Sequence, residues 1–558
     1  MSPAPAAGPD EAFAWPWPEA ALLLGWLLCT AGWRPLFLPD EARHAGMAFE
    51  MLRAAGGWAA WWPTLNGLPQ LNEAPLLPLL NRWALEGLGV HAFAVRVAPA
   101  LLGAGLCLSM FLHARRCHGQ PVARLSLLML ATCPLLFVAA QFTSPHIAGA
   151  AFTTASVLAF VRALDDAQPA AWRWPMLAWA LCAFGVLAQG PAGLVVPLAV
   201  IGPWVVVLGR WRQGARCWHP AGLLVFMALL GPLVAALVWL DPATPAALAA
   251  SAWHEPLRQI VSAPVDGALP AAWVLAALPL LSFPWSPWLL ALRPARLMPA
   301  GASHVRPLLA LYGWWMLVAL AWACRPGARS VGDVLPALAP LFLLLGLVLS
   351  ERRTPWWRVA FPAAATCVCA LVFMVSKAPQ SHRELAQTLA TQMQPGDRVV
   401  FVDDFPFDVP FYAGLREPVI VLTDWDAAAA SPPGDWRARM LQALPWVPGR
   451  ASQPVARAAW MWGWQRLPEV PCHASSVWLF AGSEHRDRLE AAMAGLLLVQ
   501  VERGVDLISV PRRDCVGGVP VAASGQPDAS RLQVELELGR SQVSELTLAR
   551  SEGWVASR

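Results

Sequence analysis

Long apolar runs dominate this 558-residue chain and constrain its fold more than any other feature. A helix needs about 20 apolar residues to cross a bilayer. Charged residues make up 14% of the chain and hydrophobic residues 57%, whereas a soluble protein of this size carries about 25% charge. The chain is therefore predicted to be a polytopic membrane protein, mainly α-helical, with about 11–13 transmembrane helices. The apolar runs lie at roughly 20–37, 93–114, 122–140, 147–164, 175–188, 192–209, 221–240, 271–292, 307–324, 331–349 and 357–376.

Arginine placement predicts the orientation of the bundle, because cytoplasmic loops carry an excess of basic residues. Most loop arginines follow the even-numbered apolar runs, as at 115–124, 162–173, 210–216, 293–306 and 352–358. The N-terminus is therefore predicted to be cytoplasmic, and the first outer loop (38–92) to lie on the other side. The N-terminal segment lacks basic residues, so its apolar run is predicted to be a retained helix and not a cleaved signal peptide.

The sequence divides into a transmembrane domain, 1–376, and a polar C-terminal domain, 377–558, on the outer side. Short β-branched runs alternate there with helical stretches, as in RVVFV, VIVL, SVWLF, LLLVQV and DLISV, which predicts a small α/β domain. The segment 428–470 is predicted to be a loop packed at the membrane surface. Cys472 and Cys515 are candidates for a disulfide, provided that the outer compartment is oxidising. No clustered basic face points to nucleic acid.

The first outer loop opens with DEARHAGMAFEMLR, which predicts an amphipathic helix on the membrane surface with Asp40 as its N-cap. Apolar residues recur at three- and four-residue spacing, and Arg43, Glu50 and Arg53 are predicted to stay in water. An ordinary solvated interfacial helix is one interpretation of this pattern. Glu73 favours a functional one, since a carboxylate in an apolar stretch is costly unless it is paired or used.

Further charged groups are predicted to face the same compartment at the same membrane level: His254, Arg325, Arg329 and Asp333. Carboxylates, a histidine and arginines together suit a lipid-phosphate substrate, because arginines hold phosphate and a carboxylate takes a proton. Anchoring of Arg325 and Arg329 to lipid headgroups is the alternative. Glu73 with His254 would also suit a divalent metal ion, the one candidate cofactor.

Several motifs resemble a known family: DEARHAGMAFEML at 40–52, LNGLPQLNEAPLLPLLN at 65–81, GVHAFAVRVAPAL at 89–101, AQGPAGLVVPL at 188–198, and VLPALAPLFLLLG at 334–346. They resemble the membrane glycosyltransferases of the glycosyltransferase C fold that use polyprenyl-phosphate sugars. The nearest branch is the lipid A aminoarabinose transferases, which are related to protein O-mannosyltransferases. The resemblance extends into the C-terminal domain at DVPFYAGLREPVIVLTDWD (408–426).

This resemblance implies an inverting glycosyltransferase with an active site on the outer, periplasmic face of a bacterial inner membrane. Asp40 and Glu41 are then the predicted catalytic residues, and Arg43 lies near the donor phosphate. His44, Glu73, Arg325, Arg329 and Asp333 complete the predicted substrate site, while Glu73 and His254 match positions that hold a metal or order the loop in relatives. The implied donor is a sugar on undecaprenyl phosphate, and the acceptor is lipid A or lipopolysaccharide, another glycan or a protein.

The chain departs from the family pattern at five positions. His44 replaces a tyrosine, Ala74 and Gln189 replace lysines, Ser144 replaces an acid, and Asp333 replaces a tyrosine. Arg325, Arg329 or His146 could compensate for the lost lysines. Two hypotheses follow: an active transferase, or a catalytically weakened relative that binds lipid-linked sugars in envelope assembly. Transport is disfavoured, since the spans carry few ionisable residues that would line a path.

Overall fold

The computed structural model describes most of the chain. The described residues are 16–54, 56–70, 73–164, 172–207, 211–240, 271–292, 306–325, 330–350, 357–377, 381–428, 435–444, 459–472, 476–493, 496–502, 504–511, 515–516 and 519–520. His254, Arg329 and the side chains of Cys472 and Cys515 lie outside this description, so the predictions that rest on them stay predictions.

Each of the predicted apolar runs contains a helix, and the prediction of a polytopic helical membrane protein is confirmed. Within the described residues, five helices are long and apolar enough to cross a membrane, at Ala94–His118, Pro145–Ala163, Gly214–Ala235, Val331–Ser350 and Arg358–Ser376. A sixth candidate is bent by 66° where residues 120–131 meet 134–140. Pro134 begins the second half, and a proline removes a donor and disfavours helix at the residue before it. Shorter apolar helices complete the bundle.

The helices of the membrane part are numbered in chain order. They are α1 (Trp17–Leu28), α2 (Asp40–Arg53), α3 (Leu76–Leu88), α4 (Ala94–His118), α5 (Gln120–Ala131), α6 (Pro134–Ala140), α7 (Pro145–Ala163), α8 (Arg173–Gln189), α9 (Ala192–Val207), α10 (Trp211–Cys217), α11 (Pro220–Leu240), α12 (Ala271–Leu281), α13 (Arg306–Ala323), α14 (Leu335–Ser350) and α15 (Trp357–Lys377). The 3₁₀ helices Ser286–Ala291 and Val331–Val334 precede α13 and α14.

The first outer loop folds into α2, a short hairpin and α3. The hairpin pairs β1 (Thr64–Leu65) with β2 (Leu68–Pro69) through Asn66 and Gly67, both at positive φ. This is the Asn-Gly turn that matches the twist of two antiparallel strands. Glu50 accepts hydrogen bonds from the Thr64 hydroxyl and the Asn66 amide. The prediction that Glu50 stays in water is therefore wrong, because the hairpin supplies its donors.

The C-terminal part contains the predicted α/β fold. Its sheet has the order β5-β4-β3-β6-β8-β7; the first four strands are parallel and the last two are antiparallel to their neighbours. The strands are β3 (Arg398–Val402), β4 (Ile420–Leu422), β5 (Met461–Trp462), β6 (Ser476–Gly482), β7 (Leu497–Glu502) and β8 (Val505–Pro511). A further short pair joins β9 (Cys515–Val516) to β10 (Val519–Pro520). The helices are α16 (Arg383–Gln392), α17 (Val409–Tyr412), α18 (Trp425–Ala428), α19 (Trp436–Ala443) and α20 (Arg486–Ala492).

The segment 428–470 is not a simple surface loop, since it contains α19 and the sheet strand β5. Side chains alternate between the two faces of the sheet, as the period of two in a strand requires. Phe401 and Phe480 lie in one apolar cluster, while Val400 and Leu479 lie in the other.

The C-terminal sheet and the first outer loop share one hydrophobic core. Phe49 of α2 packs edge to face on Phe411, with ring centroids 5.7 Å apart. The Asn66 side chain donates to the Val419 carbonyl at 2.9 Å and accepts from the Val419 amide at 2.7 Å. α2 is a helix, as predicted, but the interpretation of it as a solvated helix is wrong, because most of its residues are buried.

Candidate functional site

The start of α2 places one exposed carboxylate beside a buried arginine. Asp40 is the first residue of the helix; Pro39 occupies the N-cap position, so the prediction of Asp40 as N-cap is wrong. The Asp40 side chain is 74% exposed. Arg43, one turn later, is buried, and its Nη2 lies 3.5 Å from Asp40 Oδ1. Its Nη1 forms an ion pair with Glu73, so Arg43 connects Asp40 to Glu73.

His44 adds a second contact to Glu73. Its Nδ1 lies 2.7 Å from the Asp40 carbonyl oxygen; because a carbonyl only accepts, this nitrogen carries a proton. Its Nε2 lies 3.4 Å from Glu73 Oε2. Burial would raise the pKa of Glu73, but the Arg43 charge holds it well below its usual range. Arg43 and His44 were predicted to lie with Glu73 at one site, and the structure brings all three together.

Glu41 has a different environment, although it is next to Asp40 in the chain. It is 1% exposed. Arg34 Nη1 donates to Oε2 at 2.5 Å, Arg96 Nε donates to Oε1 at 2.8 Å, and the Phe37 amide donates to Oε2 at 2.8 Å. Burial would raise its pKa, but the two arginines lower it to about 2.

A general base needs an accessible oxygen and a pKa near the working pH, and Glu41 has neither. The prediction of Glu41 as a catalytic residue therefore conflicts with the geometry. Arg96 also donates to the carbonyls of Ala31 at 2.6 Å and Pro35 at 2.8 Å. The Glu41 group thus fixes the end of the first apolar segment against the start of α2 and α4.

A second polar cluster surrounds Asp333, which is 3% exposed. Its Oδ1 lies 3.4 Å from His146 Nδ1 and 3.4 Å from Gln189 Nε2, and its Oδ2 lies 3.5 Å from Arg325 Nη2. Gln189 Nε2 also lies 3.4 Å from His146 Nδ1. The structure therefore joins Arg325 and Asp333, two predicted site residues, to His146 and Gln189.

Two glycines make room for this second cluster. A Cβ at Gly149 would overlap the Gln189 side chain, and a Cβ at Gly332 would lie 2.7 Å from His146 Cγ. Real Cβ contacts are longer than this, so both glycines are required by close packing and not by backbone conformation.

One small apolar contact is formed by residues that neighbour both polar clusters in the chain. Leu76, Ala148 and Ala188 pack together there. Glu73 precedes Leu76 by three residues, His146 precedes Ala148 by two, and Gln189 follows Ala188 directly. Both clusters therefore occupy the same end of the bundle, on the side of the first outer loop.

The predicted metal site at Glu73 does not fit a cation well. The Glu73 carboxylate already faces Arg43 and His44, and a metal ion would have to displace them. Among the described residues, no group of three or more His, Cys, Asp or Glu side chains could hold a metal. His254, the other predicted ligand, lies outside the described residues. No chemical step is assigned to a metal here.

Arg34 and Arg96, which neutralise Glu41, were not among the predicted site residues. One signal was available: Arg96 lies inside an apolar run, and a charge at such a position is expected to have a partner. Arg34 lies at the end of the first apolar run, where an ordinary interfacial anchor is equally consistent with the sequence.

Comparisons with known proteins find a family model, curated relatives and solved structures that are similar to this chain. A family model described as dolichyl-phosphate-mannose-protein mannosyltransferase matches residues 72–239. An undecaprenyl phosphate-alpha-4-amino-4-deoxy-L-arabinose arabinosyl transferase of Pseudomonas paraeruginosa is 27% identical over 336 residues, which cover 57% of this chain and 56% of that protein. A second such transferase, from Pseudomonas fluorescens, is 27% identical over 355 residues, 59% of this chain and 58% of that protein.

The fold extends further than the sequence match. The crystal structure of ArnT from Cupriavidus metallidurans bound to undecaprenyl phosphate superposes with a TM-score of 0.72 at 17% identity, covering 92% of this chain and 99% of that one. The predicted fold and the resemblance to glycosyltransferases of the C type are therefore confirmed. In sequence, the match spans just over half the length of the curated relatives, 56% for the Pseudomonas paraeruginosa protein.

Proposed function

We propose that this chain is an integral membrane glycosyltransferase that moves a sugar from a polyprenyl phosphate to an acceptor on the outer face of the membrane. The observation that carries the proposal is the pairing of an exposed Asp40 with a buried Arg43 at the start of the first outer loop. The relatives are named for transfer of an aminoarabinose from undecaprenyl phosphate, and the solved neighbour holds undecaprenyl phosphate. Undecaprenyl phosphate is therefore the proposed lipid of the donor.

The residues suggest a direct displacement. An oxygen of Asp40 takes the proton from the acceptor group, and the acceptor oxygen attacks the anomeric carbon of the donor sugar. The bond from that carbon to the phosphate oxygen breaks, so polyprenyl phosphate leaves and the configuration inverts. Arg43 lies where a guanidinium could stabilise the leaving phosphate, since arginine matches phosphate geometry. No covalent bond between sugar and enzyme is formed.

Glu73 and His44 position Arg43 in this proposal. An arginine side chain has many rotamers, and an ion pair to a half-buried carboxylate restricts them. The second cluster, with Asp333 and Arg325, lies at the same end of the bundle and is proposed to line the substrate path. The proposed acceptors are lipid A or lipopolysaccharide, another glycan, or a protein.

The proposed location is the inner membrane of a bacterium, with the active site and the C-terminal domain in the periplasm. Arginine placement along the sequence supports this orientation. In this arrangement, Asp40 and the sheet domain lie on the same side of the membrane, in agreement with the core shared by α2 and the sheet.

The test compares envelope lipids and glycans by mass spectrometry in cells with the native chain, without it, and with Asp40→Asn. The expected result is a sugar-sized mass that is present only with the native chain. Asp487→Asn, an exposed carboxylate on α20, is the matched control and should behave as native. Unchanged transfer by Asp40→Asn would refute the assignment of Asp40.

The lost lysines at Ala74 and Gln189 favour a second candidate, a weakened relative that retains the donor without turnover. It predicts that the purified native chain binds undecaprenyl phosphate while no lipid or glycan mass changes. Native mass spectrometry of the detergent-purified chain with added undecaprenyl phosphate measures that binding directly.

A further inference from the structure

A cavity of about 330 Å³ lies between the helices α7, α8, α9 and α10 of the membrane part. The buried part of its lining includes Phe160 of α7, Trp179 of α8 and Ile201 of α9. Of the described residues that line it, none is charged. The volume lies at the lower end of the range of about 300–1,000 Å³ that is usual for small-molecule sites. The cavity therefore suits an apolar group.

This cavity is remote from both polar clusters. Gln189 of the second cluster lies three residues before the start of α9, whereas Ile201 and Val205 line the cavity from the other end of that helix. At 1.5 Å per residue, Gln189 and Val205 are about 20 Å apart along the helix axis. Arginine placement assigns this end of the bundle to the cytoplasmic side. The cavity is thus separate from the proposed transfer site.

One side of the cavity is open. Gly202 is exposed, and a Cβ at this position would meet nothing within 4 Å. Val206 is 45% exposed and Trp218 is 56% exposed. The opposite situation holds at Gly214 of α10, where a Cβ would lie 2.5 Å from Val205 Cγ1, so α10 packs on α9 and closes the cavity there. Because α9 is an apolar helix of the bundle, the open side faces lipid.

Two exposed arginines lie near this cavity. Arg216 precedes the lining residue Trp218 by two positions, and Arg173 is the first residue of α8. The start of α11 packs against the start of α8, since a Cβ at Gly222 would lie 3.1 Å from the Pro175 carbonyl oxygen. The chain that carries Arg216 therefore reaches the end of α8 that carries Arg173.

The charge of this end of the bundle favours an anion. Residues 160–220 contain five arginines and two aspartates: Arg162, Arg173, Arg210, Arg212 and Arg216 against Asp165 and Asp166. Basic groups between membrane helices on the cytoplasmic side bind anionic lipid headgroups. Trp172 and Trp218 are half exposed, as is usual for tryptophans at a membrane–water interface. An apolar cavity open to lipid, beside basic residues at the interface, matches both parts of an anionic phospholipid.

We propose that this cavity binds an anionic phospholipid from the leaflet on this side of the bundle. One acyl chain enters the cavity past Gly202 and Val206, and the phosphate lies beside Arg173 and Arg216, since arginine matches phosphate geometry. The bound lipid fills the space between α9 and α10 and holds both against α8. This site does not depend on the transfer reaction.

The experiment uses the full chain purified in detergent and native mass spectrometry with three lipids. Palmitoyl-oleoyl phosphatidylglycerol and palmitoyl-oleoyl phosphatidylcholine have the same acyl chains and differ in net charge, and undecaprenyl phosphate is the lipid of the proposed donor. Phosphatidylglycerol should bind more tightly than phosphatidylcholine. Undecaprenyl phosphate should not displace it, because the proposed function places that lipid at the other end of the bundle.

Four variants and their controls locate the binding. Arg173→Gln and Arg216→Gln should each weaken phosphatidylglycerol binding about fivefold, the loss expected for one basic residue near an anionic lipid surface, and leave phosphatidylcholine binding unchanged. Arg124→Gln removes an exposed arginine of α5 and should bind as the native chain. Gly202→Leu places a side chain in the cavity and should weaken binding of both phospholipids. Gly105→Leu, at an exposed glycine of α4 with nothing within 4 Å of its Cβ position, should not.

Equal binding of the two phospholipids by the native chain would overturn the proposal, as would native phosphatidylglycerol binding by Gly202→Leu or by both arginine variants. Displacement of phosphatidylglycerol by undecaprenyl phosphate would identify the occupant as a polyprenyl lipid and would overturn it too. The unfolding midpoint of each variant is measured in parallel without lipid. Arg173→Gln and Arg216→Gln change exposed side chains, whose substitution costs at most about 0.5 kcal/mol as a rule, so they remain decisive if Gly202→Leu unfolds early.

Discussion

Glu41→Gln tests whether Glu41 is a structural carboxylate, in contrast to Asp40, the proposed base next to it. The substitution keeps the shape of the side chain but removes the negative charge that faces Arg34 and Arg96. Both arginines are buried, so their charges would lose their compensating partner. Breaking a buried ion pair by removing one partner costs about 3–5 kcal/mol.

The pKa of Glu41 gives a second way to obtain the free energy that its charge contributes to the folded state. Burial would raise it, but Arg96 and Arg34 lower it from 4.5 to about 2. At about 1.4 kcal/mol for each pH unit, ionised Glu41 contributes about 3 kcal/mol to the folded state. The pKa is lower in the folded chain, so this stability is fully present above a pH of 4.5 and is lost as the pH falls toward about 2.

The assay is unfolding of the chain in detergent micelles, at pH 7 and at pH 3, together with transfer at pH 7. Glu41→Gln should unfold at a clearly lower temperature than the native chain at pH 7, and the difference should shrink at pH 3. Asp40→Asn changes an exposed side chain, for which about 0.5 kcal/mol is the usual limit, so it should unfold as native but lose transfer. A Glu41→Gln chain that unfolds at the native midpoint and lacks transfer would refute the structural role of Glu41.

Three further predictions follow from the same contacts. Glu73→Gln removes the anion that faces Arg43. It should lower the rate of transfer about 100-fold, the loss expected when a positioned group moves by about 1 Å. A near-native rate would contradict the proposal that Glu73 positions Arg43. Asn66→Gly keeps the positive φ of the turn but deletes two hydrogen bonds to Val419. Limited proteolysis should therefore cut the C-terminal domain of this variant faster than that of the native chain. Resistance equal to that of the native chain would count against this docking contact. A Cβ at Gly193 would overlap the Gly185 backbone, whereas a Cβ at Gly202 in the same helix would meet nothing within 4 Å. Gly193→Ala should therefore destabilise the chain by about 1–3 kcal/mol in thermal unfolding. Gly202→Ala is the control and should unfold as the native chain.

The sequence predicted the parts of the fold that depend on local pattern. Apolar run length located the helices, and β-branched runs located β3, β4, β6, β7 and β8. It missed β5, because Met461–Trp462 is too short to have a pattern. The boundaries of α1 also differ from the predicted run, which continues to residue 37 although the helix ends at Leu28.

Side-chain environments were predicted less well than elements. In α2, helical spacing assigned Arg43 to water, but Glu73, thirty residues later, supplies its partner. The C-terminal domain then covers the helix. Periodicity describes one helix and contains no information about which distant segment packs on it, so the burial of Arg43 and His44 could not follow from the pattern.

Two of the five departures from the family pattern lie in contact in this fold. Gln189 replaces a lysine and Asp333 replaces a tyrosine, and the two side chains lie 3.4 Å apart. Arg325 then supplies the positive charge beside Asp333. In Asp333→Tyr, Arg325 loses this anion; in Gln189→Lys, the new cation faces Asp333 but crowds His146.

The double substitution Gln189→Lys with Asp333→Tyr tests that coupling. Residues in contact show interaction energies of about 0.5–3 kcal/mol in double-mutant cycles, so the unfolding free energies of the single and double variants should deviate from additivity by at least about 0.5 kcal/mol. The control combines Asp333→Tyr with Gly313→Ala, whose new Cβ would meet nothing within 4 Å. The unfolding free energies of these two substitutions should be additive. If the Gln189 pair is also additive, the two departures are independent.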